Sequence, residues 1–249
     1  FSSFLVPPCH GFFLILPVFF VAAHAMGVPI GDCNGVSQCP EGFKKFTQRS
    51  NGAWCMKVIP GNMTWWEAER ECRCTTKGAH LSGVETVDEL HWVEQQGQNV
   101  LEKGNVQDGS IWIGAYRRKE CLSGAESTNS LCHAEKLFQF TDQHTCGTTI
   151  FQDWADNQPK STAGEDCATI LVSIEASGAN LEASGKPASK NCLQTTGPTP
   201  IMSTIGYLCG VKPVSEENNY GGGYGGGNGG YGFGGEMIVI GAAKPDKKH

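Results

Sequence analysis

Two stretches of the chain place apolar residues at helical spacing behind a polar cap. In Thr64-Trp65-Trp66-Glu67 the threonine hydroxyl and the glutamate carboxylate can each satisfy a backbone N–H of a first turn, and Trp65, Ala68 and Cys72 then share one face. Thr86-Val87-Asp88-Glu89 repeats the device ahead of Leu90 and Val93, with acidic side chains at the positive end of the helix. Two short, N-capped, packed helices are predicted. Beyond them the period changes. Ile111–Gly114, Leu137–Phe140, Ala168–Val172 and Ile205–Leu208 are short apolar runs bounded by turn residues, the signature of strands. Helices first and strands afterwards predict an α+β fold rather than alternating βαβ units. The long loops between the strands belong to the class that is either functional or without fixed structure.

The two ends break this pattern in opposite ways. Residues 12–23 read FFLILPVFFVAA, the small-x-small sequence Ala23-His24-Ala25 follows, and the first charge is Asp32. That is a secretory core with a cleavage site after Ala25, and it is too short and proline-broken for a bilayer span. Residues are expected to precede Phe1, because neither a methionine nor a basic segment opens the chain. At the other end the composition collapses into NNYGGGYGGGNGGYGFGG, which cannot bury a core and is expected to be disordered. The expected organisation is a signal peptide at 1–25, a short lead at 26–35, one folded domain at 36–213 and a Gly/Tyr-rich tail at 214–249.

Charge and cysteine content narrow the function. A formal charge of −6, from 19 Lys+Arg against 25 Asp+Glu, comes with no basic run longer than Lys247-Lys248, so no nucleic-acid partner is expected. Twelve cysteines in a chain with a secretory leader predict disulfides and an extracellular location. Cleavage after Ala25 removes Cys9 and leaves eleven, and the odd number implies a free thiol, a bridge between chains that would make a disulfide-linked dimer, or a different cleavage point. Asn62-Met63-Thr64 is a glycosylation sequon whose threonine is also the helix cap. No Gly-x-Ser-x-Gly or His-Glu-x-x-His motif occurs, and His80/His91 and His133/His144 are eleven apart, which is no helical ligand spacing. No catalytic residue and no enzyme activity are expected.

CPEGF at 39–43, WCMK at 54–57, TWWEAEREC, GAHLSGVET, DELHWV, IWIGA, GEDCATI and YLCG occur in an order that resembles the long-form C-type lectin-like domain, from about Cys39 to Val211. The resemblance implies a fold of two short helices, antiparallel sheets and a long disulfide-bounded loop. It also implies the pairs Cys39–Cys55, Cys121–Cys132 and Cys167–Cys192, with Cys209 joined to the end of the first helix. The helix phase selects Cys72 for that last bridge, while counting back from Gly78-Ala79-His80-Leu81 selects Cys74. Cys33, Cys74 and Cys146 remain without assigned partners.

In sugar-binding members of that family a calcium ion is held by a Glu-Pro-Asn or Gln-Pro-Asp triplet, a later glutamate and a Trp-Asn-Asp segment. Gln158-Pro159 matches the first two triplet positions, and Glu165 with Asp166 matches the glutamate segment. The third triplet position is Lys160, and Pro187-Ala188-Ser189 stands where Trp-Asn-Asp would. A hard cation needs six to eight oxygens and a lysine supplies none, so no cofactor is expected, with calcium the alternative. Lys160 is expected to act as a tethered cation for Glu165 and Asp166, and Trp154, Gln158, Lys160, Glu165 and Asp166 to form a ligand-binding surface. These readings describe a secreted recognition module for a glycan or protein ligand without calcium. The alternatives are a calcium-dependent lectin and a matrix component acting through the tail.

Overall fold

The computed structural model describes residues 37–122, 132–133, 135–160 and 164–214. The expected leader, the lead segment, Cys33 and the tail from residue 215 lie outside the described residues. Both helices start where their capping boxes do. Helix α1 spans Trp65–Thr75 and α2 spans Val87–Gly104, with Thr64 and Glu67, and Thr86 and Glu89, exchanging side-chain and backbone hydrogen bonds. The face of α1 read from its period, Trp65, Ala68 and Cys72, is the buried one. On α2 the buried line runs Glu89, Val93, Gly97, Leu101, four residues apart each time. A buried glutamate heads that line because Arg49 reaches it at 2.6 Å and 2.9 Å, with both side chains shut from solvent. Removing either partner would strand a buried charge.

The strands are β1 (Lys44–Phe46), β2 (Trp54–Pro60), β3 (His80–Leu81), β4 (Asp108–Arg117), β5 (Phe138–Phe140), β6 (Cys167–Ser173), β7 (Pro187–Lys190) and β8 (Thr204–Val211). They form a sheet in the order β1-β2-β8-β4-β6-β7, with β3 on β8 and β5 on β4. Only β4 and β8 run parallel within this described sheet; the other pairs are antiparallel. A short helix α3, Ala179–Ala183, precedes β7.

Period two on β4 divides the core. Ile111 and Ile113 join Val93 and Leu101 of α2 in one cluster, while Trp112 joins Trp65, Ala68 and Cys72 of α1 in another. Each of the fully buried Val, Leu and Ile side chains among them stabilises the fold by about 1.5–3 kcal/mol. Gly114 is needed for close approach: a Cβ there would lie 2.0 Å from the Leu81 carbonyl oxygen. Disulfides join Cys39 to Cys55, Cys72 to Cys209, Cys121 to Cys132 and Cys167 to Cys192. Cys72, then, and not Cys74, ties α1 to β8. Cys146 is also disulfide-bonded, whereas Cys74 is free and exposed. No helix among the described residues is long and apolar enough to cross a membrane.

Candidate functional site

The loop after Phe151 returns to the sheet at Cys167, and β7 lies beside β6 in the register Cys167↔Lys190, Ala168↔Ser189. The Cys167–Cys192 bridge closes this corner with Cα atoms 5.2 Å apart. The register and the bridge bring Gln158, Lys160 and Glu165 against Ser189. The Gln158–Pro159 peptide is cis.

Ser189 is the hub of the site. Its backbone N–H donates to Gln158 Oε1 at 2.9 Å, and its hydroxyl accepts from the Lys160 backbone N–H, also at 2.9 Å. The single hydroxyl proton is shared between Gln158 Oε1 at 2.8 Å and Glu165 Oε2 at 3.2 Å. Ser189 is fully buried, so these bonds form away from competing water and are correspondingly strong. Gln158 and Glu165 are thereby linked through a hydroxyl.

Asp166 is held differently. Arg117, the last residue of β4, has a side chain only 3% exposed, and its Nε donates to Asp166 Oδ1 at 3.1 Å. Its Nη2 donates to the Lys160 and Glu165 carbonyl oxygens, and its backbone N–H donates to the Asp166 carbonyl at 2.7 Å. Its guanidinium carbon lies 5.0 Å from the Phe138 ring centre.

The geometry corrects the expectation for Lys160. Its backbone is part of the site, but its side chain is exposed and makes no ion pair with Glu165 or Asp166. The tethered cation is Arg117. The physical reason is reach: a planar fork at the end of a central strand can serve a carboxylate and two carbonyls at once. Trp154 is likewise not simply displayed. It is half-buried and stacks on Phe151 at 5.1 Å and 17°, with Phe138 at 5.3 Å, so it anchors the loop to the core. Gln158, Glu165 and Asp166 are brought together within the corner. Asn62 is exposed, and Thr64 beside it is engaged in the cap of α1.

These residues do not fit calcium. Gln158 Oε1 and Glu165 Oε2 already accept hydrogen bonds from Ser189, Asp166 faces a guanidinium, and Pro187 and Ala188 carry no side-chain oxygen. That set falls well short of a six- to eight-oxygen shell. Among the described residues no cluster of three or more His, Cys, Asp or Glu side chains could hold a metal.

Beside the hub lies a cavity of about 360 Å³ whose wall includes Asn157, Gln158, Glu165, Lys190 and Asn191. That volume is in the range of small-ligand sites. Glu165 Oε1 and the Gln158 amide nitrogen keep hydrogen-bonding capacity that no described residue uses, and both types of group suit hydroxyls. Three contributors were not singled out from sequence as functional: Arg117, Ser189 and Lys190. Ser189 could have been, because it retains an oxygen where the family pattern has one. Arg117 and Lys190 carry no local signal, since their roles depend on burial.

A family model described as C-type lectin domain-containing protein 141/158 matches residues 44–212. C-type lectin domain-containing protein 158 of Caenorhabditis elegans is 22% identical over 171 residues, covering 62% of this chain and 79% of that protein. Versican core protein of Homo sapiens is 30% identical over 120 residues, 47% of this chain, and the chain spans only 3% of versican's length. Among solved structures, the mouse scavenger receptor C-type lectin carbohydrate-recognition domain aligns with a TM-score of 0.41 at 18% identity, covering 71% of this chain and 98% of that one.

Proposed function

The chain belongs to the C-type lectin domain-containing family, and from that membership we propose that it is a secreted, non-enzymatic recognition module that binds a glycan at the corner where Gln158, Lys160 and Glu165 meet β7, without calcium. The observation that carries this reading is the bonding of Ser189, which holds Gln158 and Glu165 in place by hydrogen bonds where a metal would otherwise bridge them. A loop held open by its own bonds presents amide and carboxylate groups to a ligand without an ordering cost at the moment of binding. Secretion is supported by the apolar run at 12–23 and by the disulfides of the folded domain.

A glycan array, run with and without a chelator, tests the proposal. Binding that survives chelation is expected. Binding abolished by the chelator and restored by calcium would replace this reading with a calcium-dependent lectin. No binding to any glycan would shift the function to a protein partner or to the tail.

A further inference from the structure

The cavity at this corner has an apolar end as well as a polar one. A small cluster apart from the two main cores is made by Ala155, Leu171, Ala188 and Ile201, with Ala183 and Met202 packed against it. All of these but Ala188 also line the cavity. Ala155, Leu171 and Ile201 are buried, whereas Ala183 at the end of α3 and Met202 in the turn Pro200–Met202 are only partly so. Those two therefore present the cluster to the open space. Met202 has little freedom to withdraw. Its backbone N–H donates to the Thr199 carbonyl at 3.0 Å, and a Cβ on Gly197 would stand 2.1 Å from the Met202 Cβ. No aromatic side chain lines the cavity among the described residues, so apolar contact there is made with aliphatic carbon.

The polar end offers amides and a carboxylate. Gln158, Glu165 and Asn191 line the cavity, and each is partly exposed. Gln158 Oε1 is taken up by Ser189, and Asn191 Oδ1 accepts from the Leu193 backbone N–H at 2.9 Å. Their amide nitrogens, together with Glu165 Oε1, use no described partner. Two donors and an acceptor thus stand beside an aliphatic surface. Charge does not select an ion: Asp156, Glu165 and Glu182 oppose Lys160 and Lys186 around the wall, and the Lys190 Nζ is turned to Trp112, Thr195 and Thr204.

We propose that this cavity takes an acetamido sugar, with the acetyl methyl against Ala183 and Met202, the amide carbonyl accepting from Gln158 or Asn191, and the amide N–H donating to Glu165. The inference rests on reading this corner as a glycan site and names the class of sugar. A plain hexose would set a hydroxyl against the aliphatic end, where it loses water and gains no partner. A methyl group leaves water there at a gain. Burying one methyl is worth about fourfold in affinity, and one net amide hydrogen bond about threefold more.

The test is titration of the full chain, by ligand-detected NMR, with methyl N-acetylglucosaminide and methyl glucoside, which differ only in the substituent beside the anomeric carbon. Methyl 6-deoxyglucoside, which carries a methyl group without an amide, is the comparator. The acetamido sugar is expected to bind about tenfold tighter than the glucoside, with its acetyl methyl receiving the strongest saturation from the protein. Met202→Gln keeps the side-chain length and makes its end polar, and it should cut the preference to about threefold. A preference that stays at about tenfold in that variant overturns the proposal. Should the variant not fold, the unmodified protein decides: an acetyl methyl that receives no more saturation than the ring protons overturns it equally. Equal binding of the acetamido sugar and the glucoside overturns the acetamido class but keeps the glycan reading. The 6-deoxy sugar binding as tightly as the acetamido sugar overturns it in favour of a deoxy sugar. If none of the three binds, the proposal falls, and the glycan array separately decides whether the glycan reading falls too.

Discussion

Asp166 and the two carbonyls beside it need donors because they sit where the loop turns into β6, and Arg117 supplies them from the neighbouring strand. Hydrogen bonds to charged groups contribute about 1.5–3 kcal/mol each. Since Asp166 is 18% exposed and water can recover part of that, Arg117→Met is expected to cost about 2–3 kcal/mol in urea unfolding. Lys160→Ala should stay within about 0.5 kcal/mol, as for any exposed side chain without a partner. Equal costs for the two variants would return the anchoring role to Lys160. Lys190 has the opposite sign of effect. Its folded value is lowered from 10.5 to about 7, so the unfolded chain binds more protons between those values and stability rises with pH across that window. The penalty is fully present below the folded value and fades toward the unfolded one. Lys190→Met should therefore be more stable than the unmodified protein near neutral pH, with the gap closing as pH approaches about 10. A gap that does not change with pH would show that folding leaves the Lys190 titration unshifted.

Helix α1 is fixed at both ends by different chemistry. Its start is a reciprocal cap, Thr64 with Glu67, and its end is a covalent bridge from Cys72 to β8. The Glu67 carboxyl is held below its usual range, first by the Thr64 hydroxyl and then by the Thr64 backbone N–H. Thr64→Ala is expected to cost about 1 kcal/mol, whereas Thr64→Ser should cost much less because the cap hydroxyl is retained. Thermal unfolding of the two variants checks this, and equal losses would mean that the hydroxyl is not the capping group. The second cap does more than start its helix. Glu89 accepts from the Glu85 backbone N–H at 2.7 Å while its carboxylate also faces the Arg49 guanidinium, so α2 is pinned to the segment before β2. Sequence showed the cap of α2 plainly and its ion pair not at all, because Arg49 lies forty positions away.

The described residues make one sheet, with α1 and α2 packed against side chains that alternate along β4. Residues 218–235 hold almost no apolar side chains to offset ordering entropy. Removing residues 215–249 is expected to leave the melting temperature unchanged within about 2 °C, and a larger loss would mean that the segment packs on the domain. The sequence by itself determined the α+β class, both capped helices, the central strands and the family, because caps, periodicity and short ordered motifs are local or survive as spacing. It also carried the expectation of no calcium, since residue type alone shows where Lys160 and Pro187–Ser189 depart from the family's ligand pattern. Only the tertiary structure decided which residues hold the loop in place. Arg117 reaches Asp166 across a strand pair, Ser189 meets Gln158 and Glu165 through the β6–β7 register, and Lys190 loses basicity by being enclosed against Trp112, Thr195 and Thr204. Each of those roles depends on distance and exclusion of water between residues far apart in the chain, and no local pattern encodes either.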